Sequence, residues 1–125
     1  MKTVACGLIY LALGTLLGAF GAHAIAGSIT EQAMTTYHTA HQYQVTSAFA
    51  MIALGLCQSL WPSVRLTGAL WTLFIGSLIF SGSLYSLALT GVRIWGAVTP
   101  IGGVLTIGSL CWAAWKLMAH KATTT

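Results

Sequence analysis

Three imidazoles, His23, His38 and His41, stand close together in the first third of this 125-residue chain. Imidazole is the commonest protein metal ligand. His38 and His41 are three apart, and with His23 they could make a three-histidine zinc or copper site. The pattern is thin, however. There is no H-E-x-x-H, no second carboxylate, and no cysteine nearby. On a helix, moreover, His38 points about 60° away from His41. The sequence assigns no metal site, and the three histidines remain only its candidates.

Other polar side chains gather around them. Tyr37, His41, Gln44 and Ser47 would share one helical face. His23, Glu31, Tyr43, Gln44 and Arg93 form an expected polar cluster on one membrane face, able in principle to take a quinone, a lipid or a metal. Catalysis has less to stand on. The chain holds one acidic residue, which excludes paired-carboxylate chemistry and leaves a Ser-His-Asp triad without its Asp. Gly102-Gly103 follows Pro100 without the lysine of a phosphate-binding loop. No carboxylate lies inside an apolar run, where proton-coupled transport would place one. The expectation is a protein that is not an enzyme, and the sequence identifies no cofactor.

Hydropathy dictates what must position these groups. The chain is 57% hydrophobic and 5% charged, with a mean hydropathy of +0.84, outside the range of soluble domains. Residues 3–30, 32–64, 66–92 and 94–115 carry no charge, separated by Glu31, Arg65 and Arg93. About 20 apolar residues suffice to cross a bilayer core as a helix. The expected fold is therefore an all-α membrane protein, a single domain over residues 1–125. Four transmembrane helices, at about 4–26, 43–60, 64–89 and 100–118, should pack as a compact bundle. Residues 31–44, too polar for the bilayer centre, read as an interfacial amphipathic segment running on into helix two, with Tyr37 and Tyr43 at headgroup level. The five Lys and Arg residues are scattered, so no nucleic-acid partner is expected.

Local signals set the boundaries. Ser28 or Thr30 can cap the segment that Glu31 begins. Trp61-Pro62-Ser63 breaks the chain, and Thr90-Gly91 ends helix three. Thr99-Pro100 reads as an N-cap followed by proline at the first helical position, and residues 122–125 as a frayed tail. Lys2, an apolar stretch and Ala22-His23-Ala24 imitate a cleavable signal, but the stretch is long for one and is expected to stay as a helix. Cys6, Cys57 and Cys111 show no metal-like spacing and no disulfide is expected. Small residues mark the packing faces: Gly14, Gly18 and Gly21 on helix one, Ser77, Ser81 and Gly82 on helix three, and Thr99, Pro100, Gly102 and Gly103 at the start of helix four. Lys2, Arg65, Lys116 and Lys121 fall on one side and only Arg93 on the other, which places both termini in the cytoplasm.

Three stretches carry a resemblance: GAFGAHAI at 18–25, the YQ pair at 43–44, and FSGSLYSLALTGVRIWGAVTPIGG at 80–103. Together they resemble the small YgdD-like inner-membrane family, a domain of unknown function with mitochondrial relatives of similar size. The resemblance covers essentially the whole chain and implies four transmembrane helices in a bacterial inner membrane. It implies no activity. His23, Tyr43, Gln44, Ser81, Ser83, Tyr85, Arg93, Thr99 and Pro100 match the family pattern. His38, Gln42 and Ser47 stand where that pattern has an acidic residue, an arginine and a histidine, so a metal site built on His38 would be particular to this chain.

The functional expectation is a non-enzymatic scaffold or accessory subunit in the lipid bilayer, forming a homo-oligomer or joining a membrane-protein partner. Two alternatives accompany it. One is a small-molecule or ion carrier or channel assembled by oligomerisation; the other is a quinone, lipid or metal binder at the outer face.

Overall fold

Each charge-free run becomes a helix long enough to cross a membrane. A computed structural model describes residues 1–121 and holds α1 (Lys2–Phe20), α2 (Glu31–Leu60), α3 (Thr67–Thr90) and α4 (Ile94–Ala119). A π-turn, Gly21–Ile25, extends α1 so that its span runs Lys2–Ile25. The expected tail at 122–125 lies outside the described residues.

The boundaries follow local chemistry. Of the two capping candidates Thr30 acts: its hydroxyl accepts the Ala33 N–H at 3.1 Å, and Glu31 occupies the first turn of α2, where a carboxylate meets the positive helix end. The polar segment is no separate element, because α2 runs unbroken from Glu31 to Leu60. Gly91 closes α3 at φ 69°, a left-handed conformation that glycine adopts without a Cβ clash. Between α2 and α3 the chain makes a 3₁₀ turn, Pro62–Val64, and then places Arg65 at φ 52°. Lys116 donates to the Arg65 carbonyl at 2.8 Å, tying this unusual turn to the end of α4.

The expected start of helix four is corrected. α4 begins at Ile94, six residues earlier, and Pro100 lies inside it. Proline there forfeits the hydrogen bond to the residue-96 carbonyl, a loss membrane helices tolerate when neighbouring hydroxyls compensate. Thr99 is therefore no cap. Its hydroxyl donates to the Trp95 carbonyl at 3.0 Å and meets the Ser83 hydroxyl of α3 at 2.6 Å.

Consecutive helices pack antiparallel, α1 on α2, α2 on α3, and α3 on α4. Ile9, Leu16, Val104 and Ile107 are each at least 65% exposed, which suits acyl chains and would not suit water. With no hydrophobic effect between helices in lipid, close approach supplies the packing energy. Along α1, Gly14 faces Gln44 and Val45, Gly18 faces His41, and Gly21 faces Tyr37. Between α3 and α4 the backbones nearly touch: a Cβ on Gly76 would lie 2.8 Å from the Thr106 nitrogen, and one on Gly102 would lie 2.7 Å from the Gly76 oxygen. Gly103 meets only the Phe80 ring, at 3.5 Å. Gly82 is a correction: among the described residues nothing lies within 4 Å of its Cβ position and it is exposed, so it packs against none of the described helices.

Candidate functional site

Gln44 is the most consequential polar residue of the bundle. Gly14 leaves the space that admits its side chain, which is 1% exposed. Its Nε2 donates to the Tyr10 carbonyl at 3.2 Å, and its Oε1 accepts from the Tyr85 hydroxyl at 2.8 Å. One amide thus bonds both neighbouring helices. The Tyr10 hydroxyl meets the Ser77 hydroxyl at 2.8 Å, a second link from α1 to α3. The Tyr85 ring packs edge-on to Tyr37 with centroids 5.0 Å apart. The Tyr37 hydroxyl in turn donates to the Leu17 carbonyl, next to the π-turn. Ser81, one turn beyond Ser77, has a sealed hydroxyl without a partner among the described residues.

Helix register gives the depth of this network. The midpoint of the Lys2–Ile25 span falls at residues 13–14, and Gly14 sits against Gln44 and Val45. Gln44 therefore lies at mid-span, where an unbonded amide would be expensive. Polar side chains this deep are a specificity device, since each must find its partner for the helices to close.

Beside the network opens a cleft of about 160 Å³ between α2, α3 and α4, lined by Tyr43, Ser47, Ser77, Phe80, Gly103, Thr106 and Ile107. Tyr43 packs edge-on to Phe80 with centroids 5.1 Å apart. The lining holds no histidine, carboxylate or cysteine.

The expected outer cluster does not assemble. Gln44 is in the core, while Tyr43, one residue before it, turns to the cleft. Arg93 borders a different opening with Thr30, Gln32 and Thr36. Glu31 and His23 are exposed, the latter on the π-turn. Adjacent helical positions diverge by about 100°, so neighbours in sequence serve different surfaces. The three histidines also part: His41 packs on Gly18, whereas His38 faces outward. Among the described residues no three His, Cys, Asp or Glu side chains could hold a metal together. Tyr37 is likewise corrected from headgroup level to the core, 1% exposed.

Tyr10 and the pairing of Tyr85 escaped the sequence reading. The available signal for Tyr10 was its place on the ridge of Gly7, Gly14 and Gly21, all buried. A tyrosine interrupting small residues on a packed face must have a partner for its hydroxyl.

Residues 17–103 match a family model described as "Protein of unknown function (DUF423)". A UPF0382 membrane protein of Staphylococcus epidermidis is 46% identical over 97 residues, covering 78% of this chain and 77% of the relative. The UPF0382 membrane protein YwdK of Bacillus subtilis is 40% identical over 102 residues, 81% of this chain and 83% of its own. The UPF0382 inner membrane protein YgdD of Escherichia coli K12 is 36% identical over 112 residues, 90% of this chain and 79% of its own. No solved structure matches.

Proposed function

The chain belongs to the DUF423 family of membrane proteins of unknown function, and from that premise we propose that it is a non-enzymatic scaffold that self-associates in the bacterial inner membrane. The surface used is the outward face of α2. Glu31, Thr35, His38, Gln42 and Thr46 recur there at three- and four-residue spacing and all are exposed. Thr35 and Thr46 satisfy their own hydroxyls on the carbonyls of Glu31 and Gln42, as threonine does in lipid. The Gln42 amide has no such recourse.

Gln42 carries this reading. It adjoins His41, which faces Gly18 of the α1 span, and lies two residues, about 3 Å of helix rise, from Gln44 at mid-span. An amide facing acyl chains at that depth is costly, and a second amide relieves the cost because each group both donates and accepts. In a parallel pair of copies Gln42 meets Gln42 across the two-fold axis. Replacing it with leucine should weaken self-association by about 1–2 kcal/mol, or 5- to 30-fold in Kd. Energy transfer between labelled copies diluted in lipid would measure this. A wild-type protein that stays monomeric at every dilution would end the proposal.

The orientation belongs to the same reading. Lys2, Arg65, Lys116 and Lys121 lie toward the end that carries the termini, and both termini are assigned to the cytoplasm. In a cysteine-free background, an impermeant maleimide applied to spheroplasts should label Ser28→Cys and spare Lys121→Cys. The opposite pattern would reverse the assignment.

A further inference from the structure

The cleft between α2, α3 and α4 has the dimensions and chemistry of a ligand site. Its volume, about 160 Å³, is close to that of an engineered apolar cavity that takes benzene, about 150 Å³. One wall is aromatic, formed by Tyr43 and Phe80. Gly103, with its Cβ position 3.5 Å from the Phe80 ring, leaves that wall uncovered. Tyr43 and Ile107 at the rim are 48% and 65% exposed, so the cleft opens sideways to the surface that meets lipid.

The hydroxyls of the lining are unequal. Ser77 is engaged by Tyr10, and Thr106 donates to the Gly102 carbonyl. Ser47 differs. Its residue is 95% buried (5% exposed) and lines the cleft, and its hydroxyl bonds to no described residue. Serine in a helix ordinarily bonds the carbonyl four residues back; here that bond is not made. A cleft of carbon and aromatic surface with a buried, unengaged donor fits a flat, lipid-soluble ring that carries an oxygen acceptor.

We propose that this cleft binds the carbonyl-bearing ring of a membrane quinone, with the ring against Tyr43 and Phe80. The Ser47 hydroxyl donates to one quinone oxygen, and the alkyl tail leaves past Ile107 into the bilayer. The proposal concerns binding alone and involves no electron transfer. It stands apart from the self-association surface, since Gln42 is outside the cleft lining.

Decylubiquinone and decylbenzene are the probes, the second matching the tail and lacking the oxygens. Titrating each against thermal unfolding of the purified full chain separates ring recognition from partition into detergent. Decylubiquinone should raise Tm saturably and decylbenzene should not. Ser47→Ala should weaken decylubiquinone about fivefold, one neutral hydrogen bond, while leaving the Tm of the unliganded protein unchanged or higher. A merely structural serine would lower that Tm instead. Gly103→Leu should fill the cleft and abolish the saturable shift. Equal shifts from both probes, no shift from either, or full decylubiquinone affinity in Ser47→Ala would overturn the proposal.

Discussion

Gly102→Ala is expected to unfold the α3–α4 contact, although it adds a single methyl group. The new Cβ would lie 2.7 Å from both the Gly76 oxygen and the Phe80 Cα, and closer still to the Phe80 nitrogen. All three obstacles are backbone, so no rotamer change can make room and the helices must separate. Overpacking generally costs about 1–3 kcal/mol, and rigid obstacles put this case at the upper end. Separation would also strain the Ser83–Thr99 hydrogen bond three residues away on each helix. Two further glycines supply the contrast. Gly103→Ala meets only ring atoms at ordinary contact distance, and Gly82→Ala meets nothing within 4 Å. The first should be near neutral and the second stabilising by up to about 1 kcal/mol, the helix-propensity difference. Thermal unfolding in mild detergent would rank the three; equal Tm values would contradict the described seam.

Gln44→Leu should have the second largest effect, about 2–3 kcal/mol, from two lost hydrogen bonds and an abandoned hydroxyl. The leucine cannot bond the Tyr10 carbonyl or accept from Tyr85. Hydrogen bonds between membrane helices average only about 0.6 kcal/mol, so the bonds themselves are the smaller share. The Tyr85 hydroxyl, left at mid-span without an acceptor, is the larger. That division is testable. Tyr85→Phe in the Gln44→Leu background should restore about 1 kcal/mol, whereas Tyr85→Phe alone should destabilise. Additive losses across the cycle would mean that the hydroxyl finds another acceptor.

The four spans were legible because lipid imposes a crude test, sustained absence of charge, which the runs between Lys2, Glu31, Arg65, Arg93 and Lys116 meet. The shared face of Tyr37, Gln44 and Ser47 was legible too, since helical geometry alone places them together; all three are buried. Their partners were not. Whether Gln44 meets Tyr10 or Tyr85 depends on how far one helix slides along another, and spacing within a helix carries no such information. Thr99-Pro100 misled because the same dipeptide suits a helix start and a helix interior backed by a neighbouring hydroxyl. Gly82 and Gly102 are one residue type, the first facing away from the neighbouring helices and the second inside a helix contact, a distinction that needs the azimuth of the facing helix. His38 and His41 diverge by enough to straddle the edge of the buried face, so one touches Gly18 and the other does not.

The α3–α4 seam has a consequence for the order in which the molecule is built. Gly76, Gly102 and Ser109 contribute almost no rotamers to freeze, so ordering them on contact costs little side-chain entropy. α4 emerges during synthesis directly after α3, its main neighbour. It can therefore zip onto a finished surface without loosening α1 or α2, which leaves the amide and tyrosine links among the earlier helices undisturbed.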